Sequence, residues 1–269
     1  MGTRPEPRGP LVSRRRALGA AAMACGAACM GCGIGSILHE ASTAGSYEEL
    51  ASTSGVPVIH DVALADEEEA DQAGDAACRH DWDTLRQANQ ACCAWVHVAG
   101  THIDLPVVRT ESESEQSWYL THDLWGSSSQ SGTPFMDWRC PDADAPHVAV
   151  YAHHMTSSRA MFSDLQNAYK QGTFDKLGSL TWETHGGTVQ GEPLCALRVN
   201  SSWQDIQCFE WGTMREFSNW LAGIVAKAGA AGRNPESLLA QAQRCITLVT
   251  CSSDFSFQPW RTLAIWAVV

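Results

Sequence analysis

The chain has 269 residues, 44% of them hydrophobic, which is enough to bury a sizeable core in one large domain or two small ones. It carries 18 basic and 30 acidic residues, and five arginines within the first 16 positions leave residues 17–269 with 13 basic against 29 acidic residues, a net charge of −16. This charge argues against nucleic acid as a partner, because binding the phosphate backbone needs a basic surface.

The N-terminal segment has the pattern of an export element. Ser13-Arg14-Arg15-Arg16 precedes 22 uncharged residues, 17–38, which are long enough to cross a bilayer as a helix. Arginines before this stretch and acids after it predict a basic cytoplasmic tail, residues 1–16, and a body outside the cell. Three interpretations stay open: an uncleaved anchor, a cleaved signal ending near Ser42-Thr43-Ala44, and a twin-arginine signal in which Ala17 replaces the usual aromatic residue. The sequence therefore predicts a single-pass protein of the cell membrane, or a secretion signal in its place.

Residues 39–80 have no sustained apolar period and include the acidic run Asp66-Glu67-Glu68-Glu69. We expect a solvated acidic stalk here, with a short helix near Tyr47 to Leu50. A further helix follows, with Asp81 or Asp83 as its N-cap.

Beyond that helix, short apolar segments alternate with turn residues such as Gly126, Gly132 and Pro146, a pattern that predicts a mainly β domain. One helix interrupts it, from Thr213 to Ala228, where apolar residues recur at a 3.6-residue spacing.

The last two strands carry chemistry. The β-branched run from Ile246 ends in Cys251, and Arg261 opens the final apolar run ten positions later, so a hairpin places thiol and guanidinium at one end. A thiol at its ordinary pKa of about 8.5 is mostly protonated at neutral pH and needs a cation or base nearby to attack a carbonyl. The strand Val148 to Tyr151 leads into His153-His154, which offers such a base.

Several motifs in this order resemble the sortases, the cysteine transpeptidases of Gram-positive cell surfaces. They are the run T-L-V-T-C ending at Cys251, the downstream Arg261, and the block Y-A-H-H-M followed by M-F-S-D-L at residues 151–165. Residues 95–108, W-V-H-V-A-G-T-H-I-D-L-P-V-V, resemble the W-I-x-I-x-G-T-x-I-D-Y-P-V-V signature of class B. Trp118-Tyr119-Leu120 and Gly132 to Asp137 follow that class in order and spacing.

The resemblance implies an eight-stranded sortase-type β-barrel over residues 81–269, with an N-terminal helix and a helix between strands six and seven that overhangs the substrate groove. It also favours an uncleaved membrane anchor. The implied enzyme needs no cofactor or metal. It cleaves a C-terminal sorting motif of a surface or pilin protein after Thr, holds the acyl group as a thioester on Cys251, and passes it to an amine of a peptidoglycan precursor or to a pilin lysine.

By the same resemblance, Cys251 is the nucleophile, His153 the acid and base, and Arg261 the group that stabilises the oxyanion or holds substrate main chain. His153 is preferred over His154 because the family pattern is H-x-M, with Met155 two residues later, although Ala152 stands where Gly is usual. Thr250 is expected to support the Cys251 turn. Asp254 is expected to form a local turn contact or to orient a substrate group.

Eight cysteines lie outside residues 17–38, and because none forms a C-x-x-C pair we predict no structural zinc site. Disulfides and buried thiols both stay open. Two alternative functions are an exported binding module with Cys251 locked in a disulfide with Cys245 or Cys208, and another cell-wall cysteine acyltransferase such as an L,D-transpeptidase. The second class carries Cys and Arg in one compact motif, whereas here they lie ten residues apart.

Overall fold

The apolar runs form strands of a single sheet. In the computed structural model, which describes residues 45–55, 79–252 and 258–269, this sheet has nine strands. They are β1 Cys92–Val98, β2 Asp104–Val108, β3 Phe135–Met136, β4 His147–Tyr151, β5 Leu180–Thr184, β6 Gly187–Asn200, β7 Ala230–Ala231, β8 Arg244–Cys251 and β9 Trp260–Val268.

The sheet closes on itself through β6. This strand has 14 residues, so its first part pairs with β5 and its second part with β9. A ring of eight strands results, in the order β5-β1-β2-β3-β4-β8-β9-β6 and back to β5, while β7 adds a two-residue strand beside β6. The register of β6 against β9 shifts between Pro193 and Cys195, an irregularity that suits proline because it has no N–H to donate. The predicted eight-stranded barrel is confirmed.

Helices lie outside the barrel. They are α1 at residues 45–54, α2 Trp82–Ala88, α3 Glu113–Tyr119, α4 Gln171–Phe174, α5 Met214–Val225 and α6 Pro235–Gln241, with a 3₁₀ turn at Ser163–Leu165. Asp81, one of the two predicted N-caps, caps α2 by accepting from the Asp83 N–H at 3.0 Å, and Thr213 caps α5 by accepting from the Glu216 N–H. The predicted helix between ring strands six and seven is α5. Its chain tightens into turns after Val225, so it ends before the predicted Ala228.

Two hydrophobic clusters cover the two faces of the last strands. Leu248 and Ala264 point into the barrel, whereas Val249 and Leu263 point outward and pack in a cluster with α5. Because β8 is covered on both faces, it reads in the sequence as a continuous apolar run.

Helix α1 packs on the barrel. Tyr47 and Leu50 are buried, the Tyr47 hydroxyl donates to the Gly132 carbonyl at 3.2 Å, and the Asp81 N–H bonds to the Ser54 carbonyl at 2.5 Å. The predicted short helix is therefore present, but it lies against the domain, whereas the sequence placed it in a solvated stalk. Residues 56–78 lie outside the described residues, so the bounds of the stalk stay a prediction.

The predicted anchor, residues 17–38, also lies outside the described residues, as does the basic tail. Within residues 45–55, 79–252 and 258–269, every helix is too short or too polar to cross a bilayer. The prediction of a single-pass membrane protein, held in the membrane by its N-terminal segment, therefore has to be corrected, because the described structure does not support it.

Candidate active site

Cys251 and Arg261 face each other across the last hairpin. Cys251 is the final residue of β8, and the antiparallel register pairs it directly with Arg261, the second residue of β9. Directly opposed residues of an antiparallel pair project from the same face of the sheet. The hairpin predicted from the sequence thus brings thiol and guanidinium side by side, and Cys251 is a half-buried free thiol.

His153 reaches the same place from β4. The last parallel pair between β4 and β8 is Tyr151 with Val249, and the Ala152 N–H still donates to the Val249 carbonyl at 3.2 Å. His153 and Cys251 each lie two residues beyond this pair. Because side chains along a strand alternate between its two faces, both are expected to project from the same face as Tyr151 and Val249. The positive charge of Arg261 also acts on the pKa of His153, so the guanidinium that lies opposite Cys251 is also near the imidazole.

The imidazole of His153 is buried and oriented. Its Nε2 lies 2.8 Å from the Leu120 carbonyl oxygen, and because a carbonyl only accepts, Nε2 carries the proton and Nδ1 is left for proton transfer. Burial lowers the pKa of His153, the bond to Leu120 opposes this shift, and the charge of Arg261 adds to it. The neutral imidazole is therefore the favoured form at neutral pH.

A glycine fixes the carbonyl that orients this histidine. Gly132 has φ of +63°, a left-handed conformation that favours glycine. A Cβ at this position would lie 2.9 Å from the Leu120 oxygen and would force that carbonyl to move. The sequence marks Gly132 as a turn residue and as part of a family motif. Its effect on the carbonyl of Leu120, twelve residues away in the chain, leaves no local signal.

The outer face of β8 and β9 leads from the site to α5. Val249 and Leu263 lie two residues from Cys251 and Arg261 respectively, and they pack in one cluster with α5. The helix thus borders the face that carries the thiol.

The remaining predicted residues contribute in different ways. Thr250 is buried and points away from Cys251, and its hydroxyl has no hydrogen-bond partner within the described residues. Its backbone pairs with Thr262, and its support of the turn stays a prediction. His154 is half-buried and forms a bridge with Met161. Asp254 lies outside the described residues.

Two other features bear on the site. In the part of the chain that the structure describes, there is no group of three or more His, Cys, Asp or Glu residues arranged to hold a metal. A separate open cleft of about 820 Å³ is lined by Arg86, Cys93, Arg109 and Trp118 among others, but by none of the three converging residues. The cleft also contains His185, but burial raises the pKa of the Cys93 thiol well above its ordinary value, which disfavours the thiolate there. We therefore place the candidate site at Cys251.

The disulfide alternative finds no support in this geometry. Cys251, Cys245 and Cys208 are all free thiols. Cys245 lies six residues before Cys251 on one strand, a separation of about 20 Å at roughly 3.3 Å per residue. A disulfide needs Cα atoms within about 7 Å.

Comparison with known proteins places the fold. No family model matches the sequence, and no curated protein matches it. Among solved structures, sortase B from Bacillus anthracis in complex with AAEK1 is similar with a TM-score of 0.65 and 18% identity, over 87% of this chain and 99% of that one. A Staphylococcus aureus sortase B–substrate complex has a TM-score of 0.60 and 19% identity, over 70% of this chain and 84% of that one. A sortase B complexed with triglycine has a TM-score of 0.60 and 19% identity, over 70% and 85% of the two chains.

The closed barrel with a cysteine at the end of its penultimate strand is thus a sortase-type fold. More closely, the fold is that of the class B sortases, as the sequence motifs predicted.

Proposed function

We propose that the protein is a cysteine transpeptidase of the class B sortase type. The observation that carries the proposal is the register that pairs Cys251 with Arg261 and continues from β4 to His153. The fold of the class B sortases supports it. Residues 81–269 are proposed as the catalytic domain.

The protonation states support a definite sequence of steps. Neutral His153 takes the Cys251 proton, and the thiolate attacks the carbonyl of the scissile peptide bond. The resulting imidazolium gives its proton to the leaving amine, which completes the thioester. Burial and the nearby charge of Arg261 lower the pKa of His153, which keeps the imidazole neutral at rest and available as a base.

Arg261 suits the oxyanion that forms when the thiolate attacks the peptide carbonyl and again when the acceptor amine attacks the thioester. Its guanidinium stays charged throughout and cannot act as a base. One of its donors, Nη1, bonds to the Trp260 carbonyl at 3.0 Å, which restrains the side chain beside Cys251. The remaining donors are proposed to bind the negative charge that develops on the attacked carbonyl.

The proposed substrates follow from the similar structures. A sortase B has been solved with substrate and another with triglycine, and these complexes support an acyl donor with a sorting motif and an amine acceptor. We propose a surface or pilin protein with a C-terminal sorting motif cleaved after Thr as the donor. An amine of a peptidoglycan precursor or a pilin lysine is the proposed acceptor.

A peptide assay tests the proposal. Fluorogenic peptides with N-P-x-T-type and related sorting motifs are incubated with wild type, Cys251→Ala and Cys208→Ala, the last a control that removes a half-buried free thiol elsewhere. Cleavage by wild type and Cys208→Ala, with none by Cys251→Ala, is the expected result. Equal cleavage by all three proteins would refute the proposal.

A further inference from the structure

A buried ion pair lies on β4's side of the barrel, close to the candidate site. Asp137 directly follows β3 and is almost fully buried. Its Oδ1 accepts from Arg139 Nε at 2.7 Å, and its Oδ2 accepts from Arg139 Nη2 at 2.6 Å and from the Tyr151 hydroxyl at 3.0 Å. Tyr151 lies two residues before His153. The carboxylate therefore joins the strand that carries the histidine to the guanidinium of Arg139.

The free end of this guanidinium bonds to another part of the chain. Arg139 Nη1 donates to Gln207 Oε1 at 2.9 Å. Gln207 belongs to residues 206–211, which we name the connecting segment because they lead from β6 toward α5. His147 of β4 holds the same segment through the Cys208 carbonyl at 2.9 Å. The connecting segment is thus tied to β4 at two neighbouring residues.

We propose that Arg139, held by Asp137 and Tyr151, is a positioning residue that fixes the connecting segment and through it α5. A bidentate ion pair sets both the direction and the plane of a guanidinium, so the Nη1 donor meets Gln207 in one geometry. Since α5 borders the face of Cys251, this tie also sets how closely α5 approaches a peptide substrate held at Cys251. The effect of Arg139 on substrate rests on the proposed function. Its effect on the connecting segment rests on the observed contacts alone.

Gln207→Ala is the informative variant. Removing Arg139 would leave the Asp137 carboxylate buried without its cation and so destabilise the fold. A change in activity could then come from lost stability as well as from a displaced connecting segment. Gln207→Ala removes only the far end of the tie, and Gln204→Ala, an exposed glutamine three residues earlier, is the matched control. Hydrogen exchange of amides in residues 206–211 is measured together with KM, kcat and the rate at which a small alkylating reagent labels Cys251.

A hydrogen bond to a charged group is worth about tenfold in an equilibrium, so exchange in the connecting segment and KM for the sorting peptide should each rise by about that factor in Gln207→Ala. The alkylation rate and kcat should stay within about twofold of wild type. Unchanged exchange would overturn the positioning role, and faster exchange with an unchanged KM would overturn its link to substrate. If wild type cleaves no sorting peptide, the proposed function fails, while the exchange data still decide whether Arg139 holds the segment.

Discussion

Acid should destabilise this protein through His147, which is fully buried on β4. Its Nδ1–H donates to the Cys208 carbonyl, its Nε2 lies 3.0 Å from the Thr247 hydroxyl, and its ring stacks on Phe209. Burial lowers the pKa of His147 from 6.5 to about 4, against the smaller opposing effects of the Cys208 bond and the charge of Asp137.

Stability falls with falling pH because the unfolded chain binds the proton at a higher pH than the folded protein does. The unfolded chain protonates at its ordinary pKa of about 6.5, whereas the folded protein resists until about 4. The contribution of His147 is therefore complete above pH 6.5 and declines as the pH falls toward 4. At 1.36 kcal/mol for each pKa unit, the free energy of unfolding loses about 3 kcal/mol over this interval.

Urea denaturation at pH 7.5, 5.5 and 4.5 measures this loss. A glutamine at position 147 can donate to Cys208 and accept from Thr247 without titrating, so His147→Gln should lose about 2.5 kcal/mol less than wild type between pH 7.5 and 4.5. His185→Gln, at an exposed histidine, is the control and should follow wild type. Parallel pH profiles for wild type and His147→Gln would refute the reasoning.

Four further substitutions probe the site. His153→Ala should lower kcat by about 10²–10⁴-fold and His154→Ala far less; reversed effects in steady-state kinetics would show that the histidines are assigned wrongly. Arg261→Lys keeps the charge but loses the planar donors, so kcat should fall about 10²–10³-fold, and a near-normal kcat with a raised KM would assign Arg261 to ground-state binding instead. Gly132→Ala should displace the Leu120 carbonyl and lower kcat, with an altered His153 signal in NMR pH titration; unchanged kinetics would contradict the role of Gly132.

The local patterns of the sequence predicted those parts of the fold that depend on neighbouring residues. The continuous apolar run before Cys251 predicted β8, and the spacing to Arg261 predicted the hairpin, because a strand and its short loop determine which residues meet. The 3.6-residue spacing of apolar residues after Thr213 predicted α5. The closure through β6 follows from its length and its change of partner, neither of which leaves a periodic signal.

Long-range polar contacts escaped the sequence analysis. The bond from His153 to the Leu120 carbonyl joins residues 33 positions apart, and that between Arg139 and Gln207 joins residues 68 apart. Each residue alone resembles an ordinary surface or loop position. The packing of helix α1 is also a long-range property. Tyr47 and Leu50 are two apolar residues in a polar region of the sequence, and nothing near them indicates the barrel surface that buries them.

The most direct test of the central claim is the mass of the enzyme during turnover. Wild type and Cys251→Ala are mixed with a sorting-motif peptide without an amine acceptor, quenched in acid, and analysed by intact mass and peptide mapping. We predict that wild type gains the mass of the peptide fragment that ends at Thr, mapped to Cys251 as a thioester, and that addition of triglycine removes it. Cleavage by wild type without any adduct on Cys251, or an adduct of the same mass on Cys251→Ala, would contradict the account.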